Sequence, residues 1–256
     1  MRNKADIVKD WLPRYTGRPL GSFGHYVLLT NFSRYLDLFA ARFGVEVLGR
    51  DLPMQSATAE DITILNFGMG SAMAATVMDL LAAVAPKAVL FLGKCGGLKK
   101  AAVGDFILPI AAIRGEGASN DYLPPEIPAL PSFRLQKAVS AMIVKQDLDY
   151  WTGTVYTTNR RVWEHDDKFK EYLRHVRTLG IDMETATLFI VGFVNHIPKG
   201  SLLLVSDSPM TPEGVKTSRS DAAVNEKYVK THLDVGVDSL VELRDSGESV
   251  MHLRFE

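Results

Sequence analysis

The chain has almost no cysteine: Cys95 is its single thiol in 256 residues. No internal disulfide can form, and the composition fits a reducing compartment, read here as the cytoplasm. No excess of charge of either sign is present. With 29 Lys+Arg against 30 Asp+Glu the formal net charge is −1, and no block of like charge occurs, so neither nucleic acid nor an anionic membrane is expected as a partner. A long apolar run is also missing. The longest charge-free stretch, Ile62 to Met78, is interrupted by Gly68 and Gly70 and falls short of the ~18 residues a membrane span needs. The charged start, Met1-Arg2-Asn3-Lys4-Ala5-Asp6, leads into no apolar segment of the secretory kind. The six histidines show neither H-E-x-x-H nor paired cysteines, so no metal is expected.

What remains is a globular composition, 46% hydrophobic and 23% charged, in a chain long enough to bury a sizeable core. Short Val/Ile/Leu-rich runs alternate with segments of helical spacing, the mark of α/β architecture. Strands are predicted at Tyr26–Thr30, Ile62–Phe67, Ala88–Leu92, Phe106–Ile113, Thr152–Tyr156 and Leu202–Ser206. Most lack polar alternation, so burial on both faces of one central sheet follows. Helices are predicted at Arg34–Phe43, Ser71–Val84, Phe133–Lys145, Asp166–Arg177, Thr185–Asn195 and Asp221–Leu243, with a short one around Ile7, Val8 and Trp11. No flexible linker divides them, which makes 1–256 one domain with 1–20 as an N-terminal extension. Four of the 12 prolines fall in Tyr122–Pro131; this is a loop, and one that could border a ligand pocket.

Two glycine-rich segments follow strands. Gly68-Met69-Gly70-Ser71 opens a helix, where free N–H groups favour an anion. Met73 stands where a dinucleotide fingerprint needs its third glycine, and no G-x-x-x-x-G-K-[ST] occurs. Gly93-Lys94-Cys95-Gly96-Gly97 reads as a second turn at a strand end. Cys95 in it is a packed side chain before it is a nucleophile, and Lys94 is either a solvated charge or a phosphate contact. Ile181-Asp182-Met183-Glu184-Thr185-Ala186 sets two carboxylates before an apolar helix, and Leu202-Leu203-Leu204-Val205-Ser206-Asp207-Ser208-Pro209 ends a strand in an acid flanked by hydroxyls. In open α/β sheets, ligands collect at such strand ends.

Together with Thr30-Asn31-Phe32-Ser33-Arg34, these motifs resemble the nucleoside phosphorylase and nucleosidase superfamily over roughly residues 25–243. Within it the chain looks most like the catalytic domain of the AMP nucleosidases, in Leu92–Leu98, Thr154–Arg161 and Ser206–Thr217; a short form without the family's extra N-terminal regulatory domain is expected. The resemblance implies a single-domain three-layer α/β/α fold around a mixed, partly barrel-like sheet. It also implies cleavage of the N-glycosidic bond of AMP without metal or organic cofactor, and a symmetric homo-oligomer, hexamers being common.

By the same resemblance Asp207 is the acid beside the purine, with Ser206 on the base, Glu184 holds the ribose hydroxyls, and Met183 packs on the sugar. Gly70, Ser71, Arg34, Lys94, Arg160 and Arg161 are the candidates for the substrate's phosphate, and Trp163 stacks on adenine or is simply a core aromatic. The chemistry suits an acid at Asp207: adenine leaves poorly as an anion, and a proton donor near N7 neutralises the charge as the sugar becomes oxocarbenium-like. A free aspartate titrates near pKa ~3.9, so Asp207 must be raised by burial or share its proton. Phosphorylases of the family carry an arginine where this chain has Phe91, which costs a phosphate nucleophile its bidentate partner and favours water. A purine nucleoside phosphorylase, or a nucleotide-binding module without catalysis, is the alternative.

Overall fold

The computed structural model describes residues 3–247. Eight strands form one mixed sheet: β1 (Tyr26–Thr30), β2 (Gln55–Ala59), β3 (Ile62–Asn66), β4 (Ala88–Gly97), β5 (Phe106–Gly115), β6 (Tyr150–Thr158), β7 (Gly180–Asp182) and β8 (Lys199–Asp207). Their order is β2-β3-β1-β4-β7-β6-β5-β8, with a further pairing of β4 to β8. That pairing closes β4, β7, β6, β5 and β8 into a ring and leaves β1, β3 and β2 as an open wing. Closure depends on the ten-residue β4, which lies parallel to β1 through Ala88–Phe91, parallel to β8 along most of its length, and antiparallel to β7 at Gly96 and Gly97.

Strands β1, β4 and β8 are buried on both faces, and their side chains alternate between two cores with the period of two that pleating imposes. Val27, Leu29, Val89, Phe91, Leu203 and Val205 join the core built with helices α1 (Lys4–Thr16), α3 (Ser71–Leu81) and α6 (Thr185–Val194). Leu28, Leu90, Leu92, Leu202 and Leu204 face the other, built with α2 (Ser33–Phe43), α4 (Phe133–Lys145), α7 (Ser218–Lys227) and α8 (Val229–Ser246). Helix α5 (Asp167–His175) contributes Leu173 to a third, small cluster with Trp163, Tyr156 and Ile181. Helices thus cover both faces of a mixed, partly closed sheet, the expected three layers. No helix among the described residues is long and apolar enough to cross a membrane.

Three sequence expectations need correction. The segment Gly93–Gly97 is strand, not turn, and all ten residues of β4 are buried. Its glycines answer close packing: a Cβ on Gly93 would meet the Phe91 ring at 2.5 Å, and one on Gly96 would meet Pro209 at 2.7 Å. The helix expected over Asp221–Leu243 is two helices separated at Tyr228, whose ring lies so close to Gly104 that a Cβ there would approach it to 2.4 Å. The proline-rich stretch is a loop, but it does not line the cavity described below: Tyr122 donates to Asp79 of α3, and Tyr122 and Leu123 pack on the core that α3 and α6 share. Arg114 pins it by donating to the carbonyls of Leu123, Pro124 and Ile127 and to the side chains of Ser119 and Asn120.

Candidate active site

A cavity of about 280 Å³ is lined from the C-terminal ends of β1, β4, β6, β7 and β8 and from the start of α7. Asp207, Ser206, Glu184, Met183, Lys94, Arg160, Arg161 and Trp163 all line it. Trp163 is at once cavity wall and core, buried and set edge-on to Phe169 at 5.4 Å.

Glu184 follows the short strand β7 and is 2% exposed. One carboxylate oxygen accepts the N–H of Gly70 at 2.7 Å and the other accepts the N–H of Met183 at 3.1 Å; the Asn31 side chain donates to it as well. Gly70 is the N-cap of α3 and has φ of 92°, a conformation glycine tolerates and other residues rarely adopt. The anion attracted to this helix N-terminus is therefore the protein's own Glu184. Ser71 donates to the Met183 carbonyl at 2.6 Å. Gly70 and Ser71 are absent from the cavity wall and hold the Met183–Glu184 turn in place. Burial pushes the Glu184 carboxyl up, as does the neighbouring Asp182 charge, against the pull of its three donors. Asp182, also buried and also pushed up by burial, accepts hydrogen bonds from Thr157 and from the hydroxyl and N–H of Thr185.

Asp207 ends β8. Its carboxylate accepts the Ser206 hydroxyl at 2.6 Å and lies 3.8 Å from the Lys216 ammonium, with its side chain 12% exposed. Burial pushes its pKa up; Ser206, Lys216 and Arg161 oppose the shift and Glu164 adds to it. Cys95 is buried with its thiol pushed well up by the same desolvation, which leaves it a packing residue and a poor nucleophile.

The phosphate candidates separate. Arg34 is exposed in the first turn of α2 and does not line the cavity. Lys94 donates to Asp221 at 3.0 Å and to Asn225 at 2.8 Å, and its ammonium sits 4.5 Å from the centre of the Phe32 ring. Arg160 gives two hydrogen bonds to Asp166 and lies over Phe169. Arg161 pairs with Glu164 at 3.4 Å. Sequence reasoning passed over Lys216, Glu164, Asp221 and Asn31 as site residues. Asn31 stood inside a noted motif, and its Oδ1 is buried with no hydrogen-bond partner among the described residues. The others lie on loops or a helix start with no spacing that marks them.

A barrel-closing mixed sheet between helical layers thus carries a cavity of carboxylates and cations at its strand ends, where such sheets collect ligands. The chain matches the model of the Phosphorylase superfamily over residues 26–242 and belongs to that family. More particularly, it is 57% identical to the crystal structure of an AMP nucleosidase from Bacteroides thetaiotaomicron, with a TM-score of 0.86 over 96% of this chain and 100% of that one. It is 30% identical to the AMP nucleosidase of Escherichia coli K12 over 96% of its own length, spanning 60% of that relative. A uridine phosphorylase structure from Vibrio fischeri, 23% identical with a TM-score of 0.76 over 87% of this chain and 93% of the other, shares the fold.

Proposed function

We propose that this chain, as one catalytic domain, hydrolyses the N-glycosidic bond of AMP to adenine and ribose 5-phosphate, in the cytoplasm. The observation that carries this is a buried carboxyl, Asp207, whose ordinary acidity is suppressed by its surroundings and which faces the same cavity as Glu184 and Met183. The similarity to AMP nucleosidases supports AMP as the substrate.

In this reading the base lies against Ser206 and Asp207, with Trp163 and Arg161 along its wall. Asp207 gives its proton to N7 as the C1′–N9 bond breaks, and the oxygen of water bonds to C1′. The proton lost by that water goes to solvent and Asp207 takes one up again. Glu184 accepts hydrogen bonds from the ribose hydroxyls, which become better donors as the ring gains positive charge, so the contact is stronger in the transition state than in the ground state. The open oxygen of Asn31 supplies a further acceptor on that side. Met183 packs on the sugar. Water is favoured over phosphate because Phe91 is apolar and buried, while Lys94 is engaged by Asp221 and Asn225.

Purified protein incubated with AMP, adenosine and inosine, with and without inorganic phosphate, tests the reading. Adenine release from AMP without phosphate is expected. Turnover of nucleosides that requires phosphate would assign a phosphorylase instead, and binding without turnover a non-catalytic module. A homo-oligomer is proposed on resemblance alone, and sedimentation velocity reads it.

A further inference from the structure

Among the described residues, four cations line the cavity and they are unequally committed. Lys94 and Arg160 make hydrogen bonds of 2.8 to 3.0 Å to side chains that hold them in place. Lys216 makes two longer ion contacts, 3.4 Å to Asp221 and 3.8 Å to Asp207, from the loop just before α7 with its side chain 21% exposed. Arg161 stands 3.4 Å from Glu164. A substrate phosphate recruits the cations whose present partners are weakest, since breaking a long contact costs less than breaking a saturated one.

The placement of Lys216 matters for a second reason. In an anti purine nucleotide, N7 and C8 lie on the edge of the base that faces the 5′-phosphate. A lysine beside the carboxyl that meets N7 therefore stands between the reacting proton and the phosphate. A phosphate monoester carries up to two charges on three terminal oxygens, and a single aspartate competes poorly with it for an ammonium group.

Resting on the AMP-hydrolysing reading, we propose that Lys216 recognises the 5′-phosphate of the substrate, and that by leaving Asp207 for that phosphate it lets Asp207 hold the proton it gives to the purine. The enzyme would then select 5′-phosphorylated purine nucleosides over free nucleosides twice, once in binding and once in arming its acid. The proton Asp207 acquires comes from solvent; it passes to N7 as C1′–N9 breaks, and the attacking water returns one proton to solvent. The other groups that act on Asp207 are Ser206 beside it on β8, Arg161 and Glu164 from the loop after β6, Lys94 and Cys95 on β4, and Asp221, which shares Lys216 from α7. Arg161 and Glu164 offset one another across 3.4 Å. Lys94 is already neutralised by Asp221. Lys216 is thus the cation whose position sets the charge on Asp207.

The test compares wild type, Lys216→Met and Lys216→Arg, each checked for an unchanged melting curve. Adenine release from AMP and from adenosine is followed over pH 5 to 9 in phosphate-free buffer. Wild type is expected to prefer AMP. Lys216→Met should lose about 10- to 100-fold in kcat/KM for AMP, the range of one charged hydrogen bond, and its basic limb with adenosine should move to higher pH. Lys216→Arg should keep the preference for AMP. An equal loss on both substrates, an AMP preference that survives Lys216→Met, or an unmoved adenosine limb would each overturn the assignment of Lys216. No adenine release by wild type from either substrate would remove the hydrolytic reading and this inference with it.

Discussion

The two carboxylates of Glu184 and Asp207, both on the cavity wall, are held in different ways. Glu184 is gripped by backbone: the N–H groups of Gly70 and Met183 bond its two oxygens, with the Asn31 amide as a third donor. Asp207 has one short bond, from the adjacent Ser206, one ion contact, with Lys216 at 3.8 Å, and otherwise feels the charges of Arg161 and Glu164. Backbone donors cannot swing away, so the Glu184 end, proposed to hold the sugar, is built before substrate arrives. The Asp207 end, proposed to meet the purine, is set by movable side chains, so its charge can change during a catalytic cycle. The contrast accords with the chemistry proposed: the sugar contact must be ready in the transition state, whereas the acid must gain and lose a proton at every turnover.

Substitution should separate the two ends. The largest effect is expected for Asp207→Asn, which keeps an acceptor for the Ser206 hydroxyl but has no proton to give. Turnover of AMP should fall by about 10²- to 10⁴-fold with KM little changed and the melting temperature nearly the same. Glu184→Ala should cost activity and stability together, because it strips the partner from two backbone donors. A buried unsatisfied donor costs about 1–3 kcal/mol, so melting should drop by several degrees. If Asp207→Asn lowered the melting temperature as much as Glu184→Ala, the distinction between a built end and a chargeable end would fail.

A smaller effect lies in pH. Asp182, Glu184 and Asp207 all have carboxyl pKa values raised by burial. In the folded chain they bind protons more tightly than when unfolded, so their contribution to stability is complete below about pH 4, where the unfolded carboxyls titrate. It is lost as pH rises through the raised folded values. Across that window the buried His232, whose pKa desolvation lowers to about 3, contributes with the opposite sign, its share growing as pH rises. Asp207→Asn should therefore remove the Asp207 share of the decline and gain melting temperature relative to wild type as pH rises. A difference in melting temperature between wild type and Asp207→Asn that stayed constant across the window would contradict the raised value of Asp207.

Much of the architecture was legible in the chain because burial writes a simple pattern. The apolar runs that mark β1, β3, β4 and β8 were visible as such, and α4 came out at Phe133–Lys145, with its expected bounds. Strand β2, Gln-Ser-Ala-Thr-Ala, was missed because it is made of small and polar residues, and β7 because three residues show no period. The run from Gly93 to Gly97 misled for a physical reason: glycine signals either a turn or a close approach, and only the surrounding Phe91 and Pro209 tell which. Asp207 and Glu184 could be picked out because each ends or follows a strand inside a recognisable motif. Lys216, Asp221 and Glu164 could not, since they come from loops and a helix start brought together at one cavity, which no local spacing encodes.

The central claim is that Asp207 hands a proton to the departing purine, and leaving-group chemistry tests it most directly. An AMP analogue methylated at N7 carries the positive charge already and needs no donor there. Comparing adenine-type base release from AMP and from this analogue, in wild type and in Asp207→Asn, should show a loss of orders of magnitude on AMP and only a few-fold loss on the analogue. Equal losses on both substrates would show that Asp207 does something other than protonate the base.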